Sequence, residues 1–277
     1  MMPPSPFEFT KMNGAGNDFI MLDNRNGNFQ LTQQQINFLC DRHRGIGADG
    51  LLVLELTKNA PPYRMRYYNA DGIEVEMCGN GARCFTRYLA QLEKLSGNIT
   101  FQTKAGVIQG TLQGKQVQIL MSTPFDFHLH ELISLDSSQK PLEVHSVNTG
   151  VPHAVLFVND LSIAPVVENG RKIRHHIRFA PAGTNVNFIQ PKEPQLLAIR
   201  TYERGVEDET LACGTGVVAS ALIHHLLSGA PSPISVITQG GDKLQVDFQA
   251  TNDPSPQINH VSLTGPADFV FSGTISI

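Results

Sequence analysis

The residues best suited to chemistry are two cysteines that occur in the same local context. Cys78 begins a Cys-Gly-Asn-Gly segment and Cys213 begins a Cys-Gly-Thr-Gly segment, and each is followed by a run that reads as a helix. A thiol at a helix N-terminus lies beside unpaired backbone N–H groups, which lower a cysteine pKa and can hold an anion. The sequence therefore predicts two reactive thiols.

Two such thiols can invert a stereocentre. One thiolate removes a proton from a carbon acid, and the other thiol delivers a proton to the opposite face. Backbone N–H groups at Gly79, Asn80, Gly214 and Thr215 can stabilise the carbanion that forms beside a carboxylate. This chemistry is that of a racemase or epimerase, and it requires no cofactor.

The other two cysteines, Cys40 and Cys84, are interpreted as small buried hydrophobic residues. The sequence contains no Cys-x-x-Cys pair and no ligand pair with metal spacing, so we predict no metal site. Glycines between Arg44 and Gly50 formally fit a dinucleotide fingerprint, but an apolar strand follows where a helix is needed. Nicotinamide or flavin binding is therefore rejected.

Several polar residues are candidates to assist the thiols. His153 and Glu203 could exchange protons with the cysteines, although a core histidine and a solvated Glu203–Arg204 ion pair are the simpler interpretations. Arg204, together with Asn17, Asn69 and Asn185, could hold a polar substrate, although each asparagine could equally be a turn residue. These residues complete the candidate site.

Composition limits the partners of the protein. The 277 residues include 41% hydrophobic and 17% charged residues, with a formal charge of −4, which is typical of a globular protein and gives no reason to expect nucleic acid. No apolar run approaches the length of a membrane helix, and residues 1–6 do not resemble a signal peptide. We expect a cytoplasmic protein that binds a small molecule and no membrane.

Internal similarity predicts a duplicated architecture. The strand–turn–strand segment 9–23 has the same layout as 144–160, and Asn69 precedes Cys78 as Glu203 precedes Cys213. The two units span roughly 7–124 and 141–266, joined by 125–140 and followed by a last strand, 268–277. Strands outnumber helices, so we predict an α/β fold in which a mixed, largely antiparallel sheet or barrel wraps one central helix per unit. Placed face to face, such units would direct both cysteines at one cleft.

Helix and strand patterns agree with this duplication. Helical spacing is expected from Phe85 to Leu95, ending at 96–97, and again over 217–227, ending at 228–229. Each helix is followed by period-two strands, at 99–103 and 107–112 and at 234–238 and 244–248. Each unit then closes with a strand that runs into a proline, at 117–124 and 261–266.

These motifs together resemble the diaminopimelate epimerase family. The resemblance rests on the ordered segments 11–19 (KMNGAGNDF), 69–72 (NADG), 77–84 (MCGNGARC), 203–205 (ERG) and 210–216 (TLACGTG). It implies a cofactor-independent enzyme that interconverts LL- and meso-2,6-diaminopimelate on the route to lysine and peptidoglycan. It also implies a homodimer whose N-terminal domain is 1–124 plus the strand 267–277, with a C-terminal domain at 125–266.

The resemblance implies residue roles as well. By it, Cys78 and Cys213 are the base and the acid, respectively, and His153 and Glu203 tune them. The substrate contacts that it implies are Asn17, Asn69, Gly79, Asn80, Asn185, Glu203, Arg204, Gly214 and Thr215.

The chain departs from the family pattern at several positions. Val151 stands where many members have asparagine, with Asn148 as a possible replacement, and Gly50 and Ile73 stand where some carry glutamine and serine. The segment 206–210 is one residue longer than the commonest form. Two alternatives are a proline or hydroxyproline racemase, against which Asn80 and the Glu203–Arg204 pair argue, and a non-enzymatic thiol protein with a redox or binding role.

Overall fold

The computed structural model describes residues 6–136, 140–251 and 257–276. The expectations for residues 1–5, for part of the 125–140 connection and for the last residue of the C-terminal strand lie outside these ranges. The chain forms two compact units: unit 1 is Met1–Ile119 with Gly265–Ile277, and unit 2 is Leu120–Thr264. Among the described residues, no helix combines the length and apolar character that a membrane crossing requires.

Unit 1 consists mainly of short strands. Its strands are β1 (Phe7–Gly14), β2 (Asn17–Asp23), β3 (Gly50–Leu56), β4 (Tyr63–Asn69), β5 (Glu74–Val75), β6 (Asn98–Thr103), β7 (Gly106–Gln113), β8 (Gln116–Leu120) and β18 (Asp268–Ile275). Its helices are α1 (Gln33–Cys40) and α2 (Gly79–Glu93). The pairs β2–β3 and β4–β6 are parallel, and the pairs β18–β1, β1–β2, β3–β4, β4–β5, β6–β7 and β7–β8 are antiparallel.

Unit 2 repeats this arrangement. Its strands are β9 (Phe125–Ile133), β10 (Leu142–Asn148), β11 (Pro152–Phe157), β12 (Asn185–Glu193), β13 (Leu196–Glu203), β14 (Asp208–Thr210), β15 (Ile234–Ile237), β16 (Lys243–Thr251) and β17 (Gln257–Pro266). Its helices are α3 (Val166–Arg174) and α4 (Gly214–Ser228), with 3-10 turns at Leu161–Ile163 and Ile177–Phe179. The pairs β11–β12 and β13–β15 are parallel and the others are antiparallel. The predicted fold class, a mostly stranded mixed α/β fold, is confirmed.

Each unit wraps its sheet around one helix. Helix α2 contacts β1, β2, β3, β6 and β7, and α4 contacts β10, β11, β12, β13, β15 and β16. Successive side chains of a strand point to opposite faces of the sheet. The strands that contact the central helix carry apolar residues on both faces, so the face turned away from the helix buries a second cluster. In unit 1 that outer cluster includes Ile20 and Leu51 with α1, and in unit 2 it includes Val186 and Phe188 with α3.

Three predicted details were wrong. Residues 125–140 do not merely connect the units, because they begin with β9, which pairs with β10. Strand β8 ends at Leu120, before the proline. Helix α2 ends at Glu93 because Lys94 adopts the left-handed conformation as its C-cap, so Leu95 lies beyond it. Helices α1 and α3 were not predicted at all.

The strand registers define which residues of the two units are equivalent. In unit 1, Phe19 pairs with Gly50 and Gly50 with Asn69. In unit 2, His153 of β11 pairs with Asn185 at the start of β12. Strand β12 in turn pairs with β13, which ends at Glu203. Phe19 therefore corresponds to His153. By the same registers, three further unit 1 residues have unit 2 counterparts, namely Gly50 with Asn185, Leu52 with Asn187 and Tyr67 with Thr201.

Candidate active site

Cys78 is the N-cap residue of α2. Its backbone is extended (φ −136°, ψ 126°), and the Cys78 side chain makes no capping hydrogen bond to the first turn. The first-turn N–H groups of Gly79 and Asn80 therefore lie beside the thiol, where a helix favours negative charge. The Cys78 Sγ lies 3.8 Å from Asn17 Oδ1, which places the first predicted asparagine directly at this thiol.

A charged cluster fixes the orientation of Asn17. Its Nδ2 donates to Asp49 Oδ2 at 3.0 Å, so its carbonyl oxygen is the atom that faces Cys78. Asp49 also accepts from Arg42 at 2.8 Å, and Arg42 pairs with Asp18 at the same distance. Burial alone would raise the pKa of Asp18, but hydrogen bonds from Arg42 and Lys11 hold that pKa well below its usual range.

Asn80 is oriented by a buried arginine. Its side chain is 3% exposed, and its Oδ1 accepts a 3.0 Å hydrogen bond from Arg83, whose own exposure is 0%. The Arg83 guanidinium also donates to the carbonyls of Gly14 (3.3 Å) and Pro266 (3.1 Å). The side chain of Asn80 is thus engaged inside unit 1.

Asn69 lies at the end of β4 and begins a tight turn. Its N–H donates to Ile73 O at 3.1 Å, and Gly72 N–H donates to Asn69 O at 2.9 Å. These bonds use the Asn69 backbone within the turn. Its side-chain amide is therefore the group that can contact a substrate.

Cys213 is the N-cap residue of α4 and repeats the geometry of Cys78. Its backbone is extended (φ −120°, ψ 108°), and no side-chain cap is present. Its Sγ lies 3.6 Å from Thr215 Oγ1, while the Thr149 hydroxyl donates to Thr215 O at 3.0 Å. The first turn of α4 is thus held to the β10–β11 turn by a threonine.

Behind Cys213 lies a buried polar group formed by His153, Asn187 and Thr201. Asn187 Nδ2 lies 3.1 Å from His153 Nδ1 and 2.9 Å from Ala154 O, and Thr201 Oγ1 donates to Asn187 Oδ1 at 3.0 Å. His153 is 0% exposed. Burial, helped by the positive charge of Arg204, lowers the pKa of His153 to about 3, so the imidazole is neutral at physiological pH.

Asn185, Glu203 and Arg204 come together where β12 begins and β13 ends. Asn185 accepts from the Arg204 N–H at 2.9 Å and donates to Pro152 O at 3.2 Å. Glu203 Oε2 accepts from the Thr210 hydroxyl at 2.8 Å. The structure thus collects these predicted residues at one end of unit 2, next to the strand that carries His153.

The two remaining cysteines are structural, as predicted. Cys40 is 4% exposed within the α1 cluster, and Cys84 is 0% exposed inside α2. Burial raises the pKa of each thiol to about 12, which keeps both protonated at physiological pH. Neither can act as a thiolate base there.

A separate His–Glu–His cluster lies on β9 and β10. His130, Glu143 and His145 have potential ligand atoms within 4.8 Å of one another. However, His145 Nδ1 already accepts from the His130 N–H at 3.1 Å, and His130 Nδ1 bonds Glu143 at 2.6 Å. A neutral His145 therefore carries its proton on Nε2, whereas a metal needs an unprotonated ring nitrogen. The cluster fits a hydrogen-bonded group, and the expectation of no metal site stays a prediction.

Several residues at these two centres were missed from the sequence. Arg83, Asp49 and Asn187 each hold a candidate residue in place, Thr201 holds Asn187, and Thr149 holds the N-terminus of α4. A signal was present for Asn187, since Asn185 and Asn187 alternate on one face of a strand. For Arg83 no local signal existed, because its acceptors come from distant segments.

The fold and these paired centres define a class of two-unit α/β enzymes that carry a cysteine at each central helix N-terminus. The sequence comparisons specify the family further. A sequence model of diaminopimelate epimerase matches residues 9–125 and 145–270. The chain is 42% identical over 271 residues to diaminopimelate epimerase of Chlorobaculum tepidum, covering 96% of this chain and 100% of that protein. It is 36% identical to that of Aquifex aeolicus, covering 97% and 98%. The chain belongs to the diaminopimelate epimerase family and is an isomerase of the epimerase kind.

Solved structures share the fold at low sequence identity. A PhzF-family phenazine biosynthesis protein of Bacillus anthracis has a TM-score of 0.74 at 16% identity, covering 98% of this chain and 99% of that one. A hydroxyproline epimerase of Agrobacterium vitis, solved with trans-4-hydroxy-L-proline, has a TM-score of 0.68 at 16% identity, covering 100% and 94%. These similarities support the two-unit sheet fold.

Proposed function

We propose that this protein interconverts LL-2,6-diaminopimelate and meso-2,6-diaminopimelate with two cysteines and without pyridoxal phosphate. The observation that carries the proposal is the repeated placement of a cysteine at the N-cap of a central helix, at Cys78 and at Cys213. Family membership supports the substrate, because the curated relatives are named for it. A dicarboxylic diamino acid also suits a site rich in asparagine, Glu203 and Arg204.

The proposed reaction exchanges two protons. One thiolate takes the proton from Cα and becomes a thiol, leaving a carbanion beside the substrate carboxylate. The other cysteine, a thiol, donates its proton to the opposite face of Cα and becomes a thiolate. N–H groups in the first turns of α2 and α4 stabilise the carboxylate as negative charge develops. After turnover the two thiols have exchanged protonation states, so the reverse reaction uses the same residues.

The remaining candidates bind or tune. We assign tuning of the thiols to His153 and Glu203, and the pKa of about 3 favours His153 as a neutral hydrogen-bond donor rather than a proton carrier. The proposed substrate contacts are Asn17, Asn69, Gly79, Asn80, Asn185, Glu203, Arg204, Gly214 and Thr215. Together with Cys78 and Cys213 these residues form the proposed site.

The structure describes the surroundings of two positions at which the chain departs from the family pattern, Gly50 and Val151. A side chain at Gly50 would meet Tyr67 Cε2 and Tyr68 O, both 2.7 Å from an ideal Cβ, so Tyr67 occupies the space that another residue would need. At Val151 the family asparagine is absent, and the Oδ1 of the neighbouring Asn148 already accepts from Gly150 N–H at 2.9 Å. If Asn148 replaces that contact, it does so through its Nδ2 group.

We further propose that each unit is a domain and that the protein is a cytoplasmic homodimer serving lysine and peptidoglycan synthesis. Family membership supports the pathway. Sedimentation of the purified protein would test the dimer directly, and a monomer across the micromolar range would contradict it.

The decisive experiment follows proton exchange at Cα in deuterated water. The protein is incubated with LL-diaminopimelate and, in parallel, with L-proline, and deuterium incorporation and product stereochemistry are measured. We expect incorporation and meso product with diaminopimelate and none with L-proline. Exchange with L-proline alone would assign the protein to the proline racemase type, and no exchange with either substrate would favour a non-enzymatic thiol protein.

A further inference from the structure

The two cysteines have equivalent positions but different supports on the strands behind them. In unit 1 a Cβ at Gly81 would lie 3.4 Å from Leu52 and 3.5 Å from Phe19, and the Phe19 ring packs edge-on against Tyr67 at 6.0 Å. The support behind Cys78 is therefore made of Phe19, Leu52 and the Tyr67 ring. We call this group the apolar support.

In unit 2 the equivalent three positions are polar. They are His153, Asn187 and Thr201, which we call the polar support. A Cβ at Gly216, the counterpart of Gly81, would lie 2.3 Å from Asn187 Oδ1 and 3.4 Å from Cys213 Sγ. One backbone position of α4 thus borders both the amide of Asn187 and the sulfur of Cys213. The polar support lies directly against the turn that carries this thiol.

The hydrogen bonds of Asn187 can be satisfied in only one way. The Ala154 carbonyl can only accept, so the amide nitrogen Nδ2 must be the atom 2.9 Å from it. The other Nδ2 hydrogen then points to His153 Nδ1, 3.1 Å away, and the oxygen accepts from Thr201. His153 Nδ1 is therefore an acceptor, and the ring proton of the neutral imidazole lies on Nε2.

The Nε2–H of His153 is the group left for function. It is buried and has no hydrogen-bond partner among the residues that the structure describes. A buried donor without a partner costs free energy, which an anionic acceptor would recover. A thiolate on Cys213 is the candidate acceptor, because the polar support borders the turn of α4 that carries this sulfur.

We propose that Asn187 and Thr201 are positioning residues that hold His153 as its Nε2–H tautomer, so that a neutral N–H donor stabilises the thiolate form of Cys213 but not that of Cys78. This inference rests on the proposed function, because it assumes that Cys213 must form a thiolate during turnover. The different side chains on the strands behind Cys78 and Cys213 would thus give the two equivalent thiols different thiolate stabilities.

The first measurement reads the tautomer directly and does not depend on activity. In protein with 15N-labelled histidine, the His153 signals are assigned by their loss in His153→Gln. We expect Nδ1 to show the shift of an unprotonated ring nitrogen and Nε2 that of a protonated one. In Asn187→Asp the carboxylate can only accept, so Nδ1 becomes protonated. A protonated Nδ1 in the unaltered protein would overturn the inference.

The second measurement compares the two thiols within one molecule. Under reducing conditions, alkylation by iodoacetamide is followed by mass spectrometry at Cys78 and Cys213 separately. Asn187→Leu introduces the residue that unit 1 has at the equivalent position, and we expect Cys213 alkylation at pH 7 to slow by about tenfold. The Cys78 rate should change by less than about twofold. Equal changes at both thiols would show a general structural effect and would contradict a positioning role.

The third measurement is kinetic and includes a matched control. Asn187→Leu should lower kcat about tenfold or more with little change in KM, and Thr201→Val should have a smaller effect because both Nδ2 bonds remain. Thr86→Val is the control, since Thr86 is a buried threonine of unit 1 whose hydroxyl donates to Ala82 O within α2. An unaltered protein that fails to exchange diaminopimelate refutes the proposed function, whereas the NMR and alkylation results still decide this inference.

Discussion

Helices α2 and α4 begin alike and continue differently. Both have a cysteine N-cap and an ordered first turn, and each is wrapped by the equivalent strands of its unit. Yet α2 contains the buried Arg83 where α4 has Val218, and the strands behind them carry the apolar and the polar support. The comparison indicates that duplication preserved the backbone that presents the thiol, while the side chains behind it diverged.

The largest effect should come from removing either thiol. In Cys78→Ser and Cys213→Ser, a hydroxyl cannot serve as a thiolate base, so epimerisation should fall by about 10³-fold or more. Serine is a favoured N-cap residue, so each helix should remain intact. Circular dichroism and product stereochemistry measure the two effects separately. Full turnover by one variant would show that the two centres are not partners in the reaction.

The second effect concerns the buried charge of Arg83 in helix α2. Arg83→Met should lower the free energy of unfolding by about 3 kcal/mol, because Asn80 Oδ1 and the carbonyls of Gly14 and Pro266 lose a charged donor. Urea unfolding is the measurement. Arg87→Met on the same helix serves as control, because Arg87 reaches the surface carbonyls of Gly114 and Gln116. Equal losses in both variants would remove the special role of Arg83.

The third effect is the pH dependence that the buried His153 of unit 2 supplies. The pKa of His153 is about 3 in the folded protein against 6.5 for an unperturbed histidine, so the unfolded chain binds this proton and the folded one does not. Stability should therefore fall as pH decreases from about 6.5 toward 3, by about 1.4 kcal/mol per pH unit from this residue. Urea unfolding of His153→Gln between pH 7 and 5 should show a shallower dependence. Identical slopes would contradict the burial of a neutral imidazole.

The smallest effect tests the threonine that holds α4. Thr149→Val removes the hydroxyl that donates to Thr215 O and should cost about 1 kcal/mol. The unit 1 counterpart is Gly14, which has no side chain but lies so close to α2 that a Cβ would be 2.9 Å from Asn80 O. Thermal unfolding of Thr149→Val gives the value. An unchanged midpoint would show that this bond adds nothing beyond packing.

Much of the fold follows from the sequence because it is repeated. The two cysteine turns, the paired β1–β2 and β10–β11 hairpins and the end of α4 at Gly229 were all predicted from matching segments. Strand β9 was missed because Asp126 and His130 have positive φ and its pairing with β10 shifts register, which interrupts the period-two pattern. Helices α1 and α3 were missed because each is short and one-sided.

Site residues could be predicted from the sequence where their residue type and local context indicate chemistry. Residues whose role depends on their position in the fold could not be predicted. Cys78 and Cys213 are recognisable from residue type and context. Asn187 lies in an otherwise apolar strand, and only the register that aligns it with Leu52 shows what it replaces. Arg83 looks like a surface residue of a helix, and its burial depends on carbonyls from Gly14 and Pro266, which no local pattern reveals.

The pairing of β18 with β1 has a consequence for synthesis on the ribosome. Phe7 pairs with Ile275 and Asn13 with Asp268, so one edge of β1 stays open until nearly all of the chain has emerged. Unit 2, by contrast, is a continuous segment and can complete its sheet while the nascent polypeptide is still growing. The half that is translated first is therefore the half that finishes folding last.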